Sequence, residues 1–483
     1  MRQTAAAALL AMLLTMPASA DDLAPPRPDT PWRGDSYVLP PGAPVPLPQA
    51  PQGIDPRHAY SLSELIDIAQ SANPQTRVAW DQARIAAQSA GIAEAAFLPN
   101  LSAVILGGYQ TGRDRSTLTT LHGESATGVV SALTLQWLLF DFGQRSALLE
   151  AARQHATVSD IAFTAEHQAV IYKVSLAYYA SAAARIRARN AAVAEKDARE
   201  IQAAAEDRLR HGIATTLEVA QARQATAQAE LSLVEADGAA EDARVTVLAA
   251  MGISPLAKIV IADPPQHDLN GSVLPDVERL VAAALGRRTD VLGASAGHGE
   301  SLARLDAAQA EYLPKLFVAA TGSYASGSLD AGAFSLADNA LPSSNLAANR
   351  SGVTVFVGIK IPIYDGGVRD AAVEQARADA DRTAALADAS SLEAARQIVA
   401  ASNAVKTSLA AHAAARALEA AAQTTFDAAL ASYRHGVGSI TDAMAAEIQL
   451  LGARNAVGDA GSTALAAAAT LAFATGILGS APP

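Results

Sequence analysis

Hydrophobic positions along the chain follow two distinct rhythms. Over residues 128–140, Val129, Ser131, Leu133, Leu135, Trp137 and Leu139 share one parity, and Thr134 and Gln136 share the other. Over residues 352–364, Val353, Val355, Val357, Ile359, Ile361 and Ile363 alternate with Thr354, Gly358 and Lys360. A period of two sustained this far predicts strands with one greasy and one wet side. A stretch of β character precedes each, at residues 101–109 and 316–324. Polar, Gly- and Ser-rich connections at 111–127 and 326–351 suit an exposed surface. Tilted strands of about 9–11 residues can cross a bilayer.

The second rhythm is helical. Residues 61–96 carry Leu62, Leu65, Ile66 and Ala69 at helical spacing, with Ser61 or Ser63 as N-cap and Pro99 beyond the end. Residues 144–210 and 368–434 are almost free of proline, and an unbroken helix of that length would reach roughly 100 Å. A Gly-containing turn follows each, and returning helices are predicted to about Ala250 and over 440–475. Alanine at contact positions favours helix and lets helices approach closely. No later segment offers about 20 strongly apolar residues in a row, so the pattern predicts that a membrane is crossed by strands. Residues 464–478 come closest to an exception.

The chain is written twice. Phe97-Leu98-Pro99-Asn100-Leu101 recurs as Tyr312-Leu313-Pro314-Lys315-Leu316, an offset of 215 residues (97 to 312). Asn73-Pro74-Gln75 falls opposite Arg288-Thr289-Asp290 at the same offset. Leu139-Phe140-Asp141-Phe142-Gly143-Gln144-Arg145 recurs as Ile363-Tyr364-Asp365-Gly366-Gly367-Val368-Arg369, now at 224 (140 to 364). Arg210-His211-Gly212-Ile213 matches Arg434-His435-Gly436-Val437, and Met251-Gly252-Ile253 matches Thr475-Gly476-Ile477, both at 224. Five blocks in one order with one change of offset define a first repeat, 60–270, and a second, 271–478, with a longer strand connection in the second and a tail at 479–483.

Composition narrows the class. Half of the 483 residues are hydrophobic and 17% are charged, which excludes wholesale disorder. The absence of cysteine excludes disulfides, thiol catalysis, thiolate metal sites and a lipid on an N-terminal Cys. A net charge of −12 argues against nucleic acid as a partner. The nine histidines show no metal-ligand spacing, and no nucleophile motif or phosphate loop occurs, so no catalytic residue, metal or cofactor is expected. Met1-Arg2, the apolar run 5–14, Pro17 and Ala18-Ser19-Ala20 make residues 1–20 a predicted signal peptide. Residues 21–59 are proline-rich and predicted to be extended, either a linker or an arm along a neighbouring subunit. Four strands cannot close a barrel, and an open edge in lipid leaves backbone groups unpaired, so further copies are required. Three copies would supply 12 strands; strand count alone also permits two or four.

Taken together, the Phe-Leu-Pro block, the Phe-Asp-Phe-Gly and Tyr-Asp-Gly-Gly blocks and the paired hairpin turns resemble the TolC-like outer-membrane efflux protein family over about residues 60–478. The resemblance implies a mainly α fold with membrane β: a duplicated protomer that trimerises into a 12-stranded barrel on a periplasmic α-helical barrel. It implies a passive, non-enzymatic exit duct in outer-membrane lipid, working with an inner-membrane transporter and a periplasmic adaptor. A type I protein secretion duct is the related alternative. A periplasmic coiled-coil adaptor or scaffold is the rival from another class, and the greasy strand faces argue against it.

The resemblance also assigns residues. Gly212, Ile213 and Ala214 in the first turn, and Gly436, Val437 and Gly438 in the second, match the family's periplasmic tip and its adaptor-docking turns; by themselves they also read as ordinary αα-hairpins. Asp442, six residues past Gly436, matches a gate carboxylate that three copies would gather into a cation-attracting ring, or is a solvated helix charge. Ala445 stands where the family carries a second aspartate, and Glu447 lies nearby but off the pattern. Tyr433 and Glu218 match a tip lock, a hydrogen bond worth roughly 1.5–3 kcal/mol where shielded. Gly438 replaces the family's arginine link, so closure is expected to be weaker or differently built.

Overall fold

The computed structural model describes residues 54–113, 123–265, 276–327 and 351–478. The predicted signal peptide, most of the proline-rich segment, both strand connections and the tail lie outside these residues. In chain order the elements are β1 (Ala59–Tyr60), α1 (Leu62–Ala72), α2 (Pro74–Ala95), β2 (Asn100–Arg113), β3 (Gly123–Phe140), α3 (Gln144–Arg210), α4 (Thr216–Met251), β4 (Val260–Ile261), α5 (Val277–Leu285), α6 (Thr289–Ala310), β5 (Lys315–Gly327), β6 (Ser351–Lys360), α7 (Val368–Arg434) and α8 (Ile440–Ala474). The order helix, helix, strand, strand, long helix, returning helix thus occurs twice.

Four expectations need correction. The single helix over 61–96 is two helices, because Pro74 lacks the N–H that would continue α1 and Asn73 adopts an extended backbone. The Asn73 side chain then accepts the Gln75 amide at 2.9 Å and caps α2. Strands β2, β3 and β5 run to 14, 18 and 13 residues, beyond the limits of the greasy alternation. Backbone pairing needs no apolar side chain, so the ladder continues into Gly-, Ser- and Thr-rich sequence. Conversely β6 stops at Lys360 rather than 364, since Pro362 cannot donate to a ladder. One helix, α8, is also long and apolar enough by composition to cross a membrane, where the sequence predicted none. It carries Asp442, Glu447, Arg454 and Asp459 and packs along α7 and α3.

The sheet has the order β2-β3-β5-β6, every neighbouring pair antiparallel. The register joins Leu101, Leu135, Ala320 and Val355 in one row, and Ala103, Leu133, Gly322 and Val353 in the next. This face is apolar and open: Ile105, Leu133, Val353 and Val357 are all exposed. The opposite face holds a hydroxyl row, Ser102-Thr134-Thr321-Thr354. The buried sheet residues Val130, Ala132, Phe317 and Thr321 belong to it. Aromatic side chains collect where the strands meet the helices: Trp137 donates from Nε1 to the Phe97 carbonyl at 2.9 Å, and Phe140, Phe142 and Tyr364 are exposed.

α3 and α7 are 67 residues each, so each extends roughly 100 Å. Along its length α3 meets α2, α4, α6 and α8, and α7 packs against α6 and α8. Alanine lines these seams. At the tightest approach Gly458 lies against Ile186, where an added Cβ would sit 2.5 Å from Cγ2. A separate core gathers around Leu65, Val174, Tyr178, Leu248 and Met251 and is crossed by the two-residue parallel pair β1–β4.

Each strand-to-helix elbow is tied by an Asp–Arg pair. Arg145 Nε donates to Asp141 Oδ2 at 2.9 Å, Nη1 to the carbonyls of Leu138 at 2.7 Å and Ala96 at 3.1 Å, and Nη2 to that of Leu139 at 3.3 Å. Its guanidinium lies 4.8 Å from the Phe97 ring centroid. In the second repeat Arg369 Nε donates to Asp365 at 2.7 Å and the guanidinium lies 5.4 Å from Tyr312, but Nη1 has no hydrogen-bond partner among the described residues. The paired sequence blocks are therefore the two sides of one joint. Arg145→Met leaves a buried carboxylate and three carbonyls without their donor and is expected to cost about 3–5 kcal/mol. Arg369→Met, beside the more exposed Asp365, should cost less. Thermal unfolding midpoints of the detergent-solubilised variants check the order.

Candidate functional site

The two hairpin turns lie side by side at the end of the long helices. In the first, the amides of His211, Gly212 and Ile213 return to the carbonyls of Asp207, Leu209 and Arg208. In the second, His435, Gly436 and Val437 return to Ala431, Tyr433 and Ser432. Gly212 and Gly436 take φ of 75° and 81°, the left-handed cap that ends a helix at little cost only for glycine. The tight reversal pushes Ile213 and Val437 outward, 63% and 83% exposed, beside exposed Leu217, while Ala214 and Gly438 are half-buried. Beneath the turns Ile201, Val219, Phe426, Leu430, Tyr433, Ile440 and Leu450 share one apolar core.

The pseudo-equivalent Glu218 and Asp442 are the third residues of α4 and α8, after the N-caps Thr215 and Ser439. Glu218 is long enough to turn back: Oε1 accepts the Thr215 amide at 3.2 Å, completing a capping box. Its Oε2 accepts Tyr433 OH at 3.4 Å. Asp442 is one methylene shorter; its amide donates to Ser439 Oγ at 3.1 Å, but its carboxylate makes no side-chain bond among the described residues and is exposed. Ala445, one turn on, is exposed too.

At 3.4 Å the Tyr433–Glu218 contact is longer than a firm O–H···O bond of about 2.5–3.0 Å. The stronger tie between the hairpins is Arg208, which the sequence reading missed. Its Nη1 donates to the Tyr433 carbonyl and Nη2 to the Ile213 carbonyl at 3.4 Å, and its guanidinium lies 4.7 Å from the Tyr433 ring centroid. Arg434 on α7 pairs with Glu200 on α3 nearby. No local signal marks Arg208, because the residue it ties to, Tyr433, belongs to the other repeat. A side chain at 438 is excluded in this turn: a Cβ there would lie 2.9 Å from Ser432 Cβ and 3.2 Å from the backbone. The link absent at Gly438 is thus made from the opposite hairpin. Burial, then the Glu218 charge, push the Tyr433 phenol up and keep it a donor.

Glu447 is buried one turn past Ala443, and no hydrogen bond to it occurs among the described residues. Burial and then the Asp197 charge raise its pKa from 4.5 to about 7, opposed by Arg454. Arg454 itself pairs with Asp197 at 3.4 Å and donates to Gln423 at 2.8 Å, joining α8 to α3 and α7. No group of three or more metal-ligating side chains occurs among the described residues.

Two outcomes are expected. Because Glu447 binds its proton more tightly folded than unfolded, packing gains stability as pH falls from about 7 to about 4.5, and its ionisation at higher pH costs at most roughly 3 kcal/mol. Glu447→Gln should flatten the difference in melting temperature between about pH 5 and about pH 8. Arg208→Met and Tyr433→Phe should both loosen the tip and raise ion conductance in planar bilayers, Arg208→Met more; unchanged conductance in both would remove the lock.

A model of the family described as outer membrane efflux protein matches residues 65–253 and 280–477. Protein CyaE of Bordetella pertussis is 29% identical over 398 residues, 82% of this chain and 79% of the relative. The outer membrane protein VceC of Vibrio cholerae superposes with a TM-score of 0.71 at 20% identity, covering 86% of this chain and 96% of that one. The open state of the MtrE outer membrane channel of Neisseria gonorrhoeae superposes at 0.69 and 20% identity, covering 86% and 88%. The two matched segments coincide with the two helix–strand–hairpin halves, and the chain belongs to the outer membrane efflux protein family.

Proposed function

We propose that three copies of the chain form an outer-membrane exit duct, which passively conducts substrates delivered by an inner-membrane transporter through a periplasmic adaptor. The observation that carries this reading is the four-stranded sheet: apolar on one face, crossed by a hydroxyl row on the other, and unpaired along β2 and β6 among the described residues. Such a sheet can enter lipid only when its edges close on further copies. Three copies give 12 strands, and the helices below continue the wall as a tube.

In this reading the tip is the periplasmic gate. The unengaged carboxylate of Asp442 faces the axis, and three of them form the constriction. Ile213, Leu217 and Val437 are the apolar knobs that dock the adaptor. Arg208, with Tyr433 and Glu218, holds the hairpins together until docking separates them.

The test is oligomer mass together with single-channel recording of the purified full chain. A trimer with small, cation-biased conductance that rises in Asp442→Asn supports the reading. A monomer that stays in water and forms no pore overturns it.

A further inference from the structure

The wet face of the sheet ends in two lysines that no acid answers. Lys315 opens β5, Lys360 closes β6, and the register sets them directly opposite each other. Opposed residues of an antiparallel pair share a face with Cβ atoms about 4.5–5.5 Å apart, where like charges destabilise the sheet. Lys360 is exposed and Lys315 half-buried, and neither makes an ion pair among the described residues. The acids that follow β6 are engaged elsewhere, Asp365 by Arg369 and Asp370 by Tyr312.

Parity decides which side the charges occupy. Lys360 has the parity of Thr354, and Lys315 that of Thr321, so both lie on the hydroxyl face rather than on the face of Val353 and Val357. They are therefore not residues snorkelling from a lipid surface. One row up, Phe317 lies so close over Gly358 that a Cβ there would meet its Cζ at 2.6 Å. That contact pins the two strand ends and holds the lysines side by side.

The first repeat supplies an internal comparison. Its residues at these places, by the offsets of 215 and 224, are Asn100 and Gln136, and the register pairs them too. One hairpin base is thus a neutral amide pair and the other a double positive charge, on otherwise matching backbone.

We propose that the Lys315–Lys360 pair, repeated in each copy, is an anion-binding collar where the helical tube opens into the barrel, suited to cargo bearing several carboxylates or phosphates. The collar rests on the duct reading. It places a positive ring beyond the acidic gate, so a polyanion that has passed an opened Asp442 ring meets attraction rather than repulsion.

The test is bilayer recording of full-length trimers in the Asp442→Asn background, where the acidic ring does not set selectivity. Tripolyphosphate and poly-L-glutamate are added from the barrel side. Block is expected in the parent, and Lys315→Gln/Lys360→Gln should need at least about tenfold more of either blocker and shift the reversal potential in a KCl gradient toward cations. These substitutions install amides like the pair already carried by the first hairpin, so folding is retained. Asn100→Lys/Gln136→Lys adds a second collar and should move both readouts the opposite way. Channels that conduct with identical block and reversal potential in all three chains overturn the collar and leave the duct standing. A parent without unitary conductance overturns the duct and the collar with it.

Discussion

Arg145 and its counterpart Arg369 are the joints on which the architecture turns. A chain leaving a lipid-facing strand must become a helix within a few residues, and its last strand carbonyls would otherwise be stranded. The Arg145 guanidinium takes up Leu138 and Leu139 from the strand and Ala96 from the preceding helix while holding Asp141. Asp141 in turn accepts the Arg145 amide and starts the long helix. A planar fork of five donors can do this; a lysine cannot. With that angle set, the direction of α3 and the placement of the tip, roughly 100 Å away, follow from helix rise alone.

Duplication with divergence explains much of the rest. Matching positions keep their backbone role and differ in what the side chain is free to do. Glu218 spends its carboxylate on a capping box and on Tyr433, whereas Asp442 is too short and leaves its charge exposed. Asn100 and Gln136 face each other as amides where Lys315 and Lys360 face each other as cations. Arg145 makes four side-chain hydrogen bonds at its joint, while Arg369 Nη1 has no hydrogen-bond partner among the described residues. Two copies of one fold thus supply a half whose polar groups are engaged and a half with charges to spare.

The seams between helices show the opposite economy. Alanine and occasional glycine bring α3 against α8 closely enough that Gly458 meets Ile186, so the tube wall is thin and its packing intolerant of added volume. Within that wall Arg454 links three helices through Asp197 and Gln423, with Glu447 buried nearby. Burial raises the pKa of Glu447 there to about 7.

The sequence by itself determined the repeats, the two 67-residue helices and the two faces of the sheet, because these rest on periodicity, proline placement and local capping. Glycine marks the hairpin turns directly, and alternation of Val and Ile with Thr, Gly and Lys marks β6. Strand ends were not legible, since backbone pairing continues past the greasy residues in β2 and β3 and is cut short in β6 by Pro362. Arg208 was invisible for a different reason: the acceptor that ties it to the other hairpin, the Tyr433 carbonyl, lies more than two hundred positions away in the other repeat. Only the tertiary structure set Lys315 against Lys360 and buried Glu447, because register and burial depend on which segments become neighbours. Neighbourhood of that kind is decided by packing across the whole protomer, not by any local run of residues.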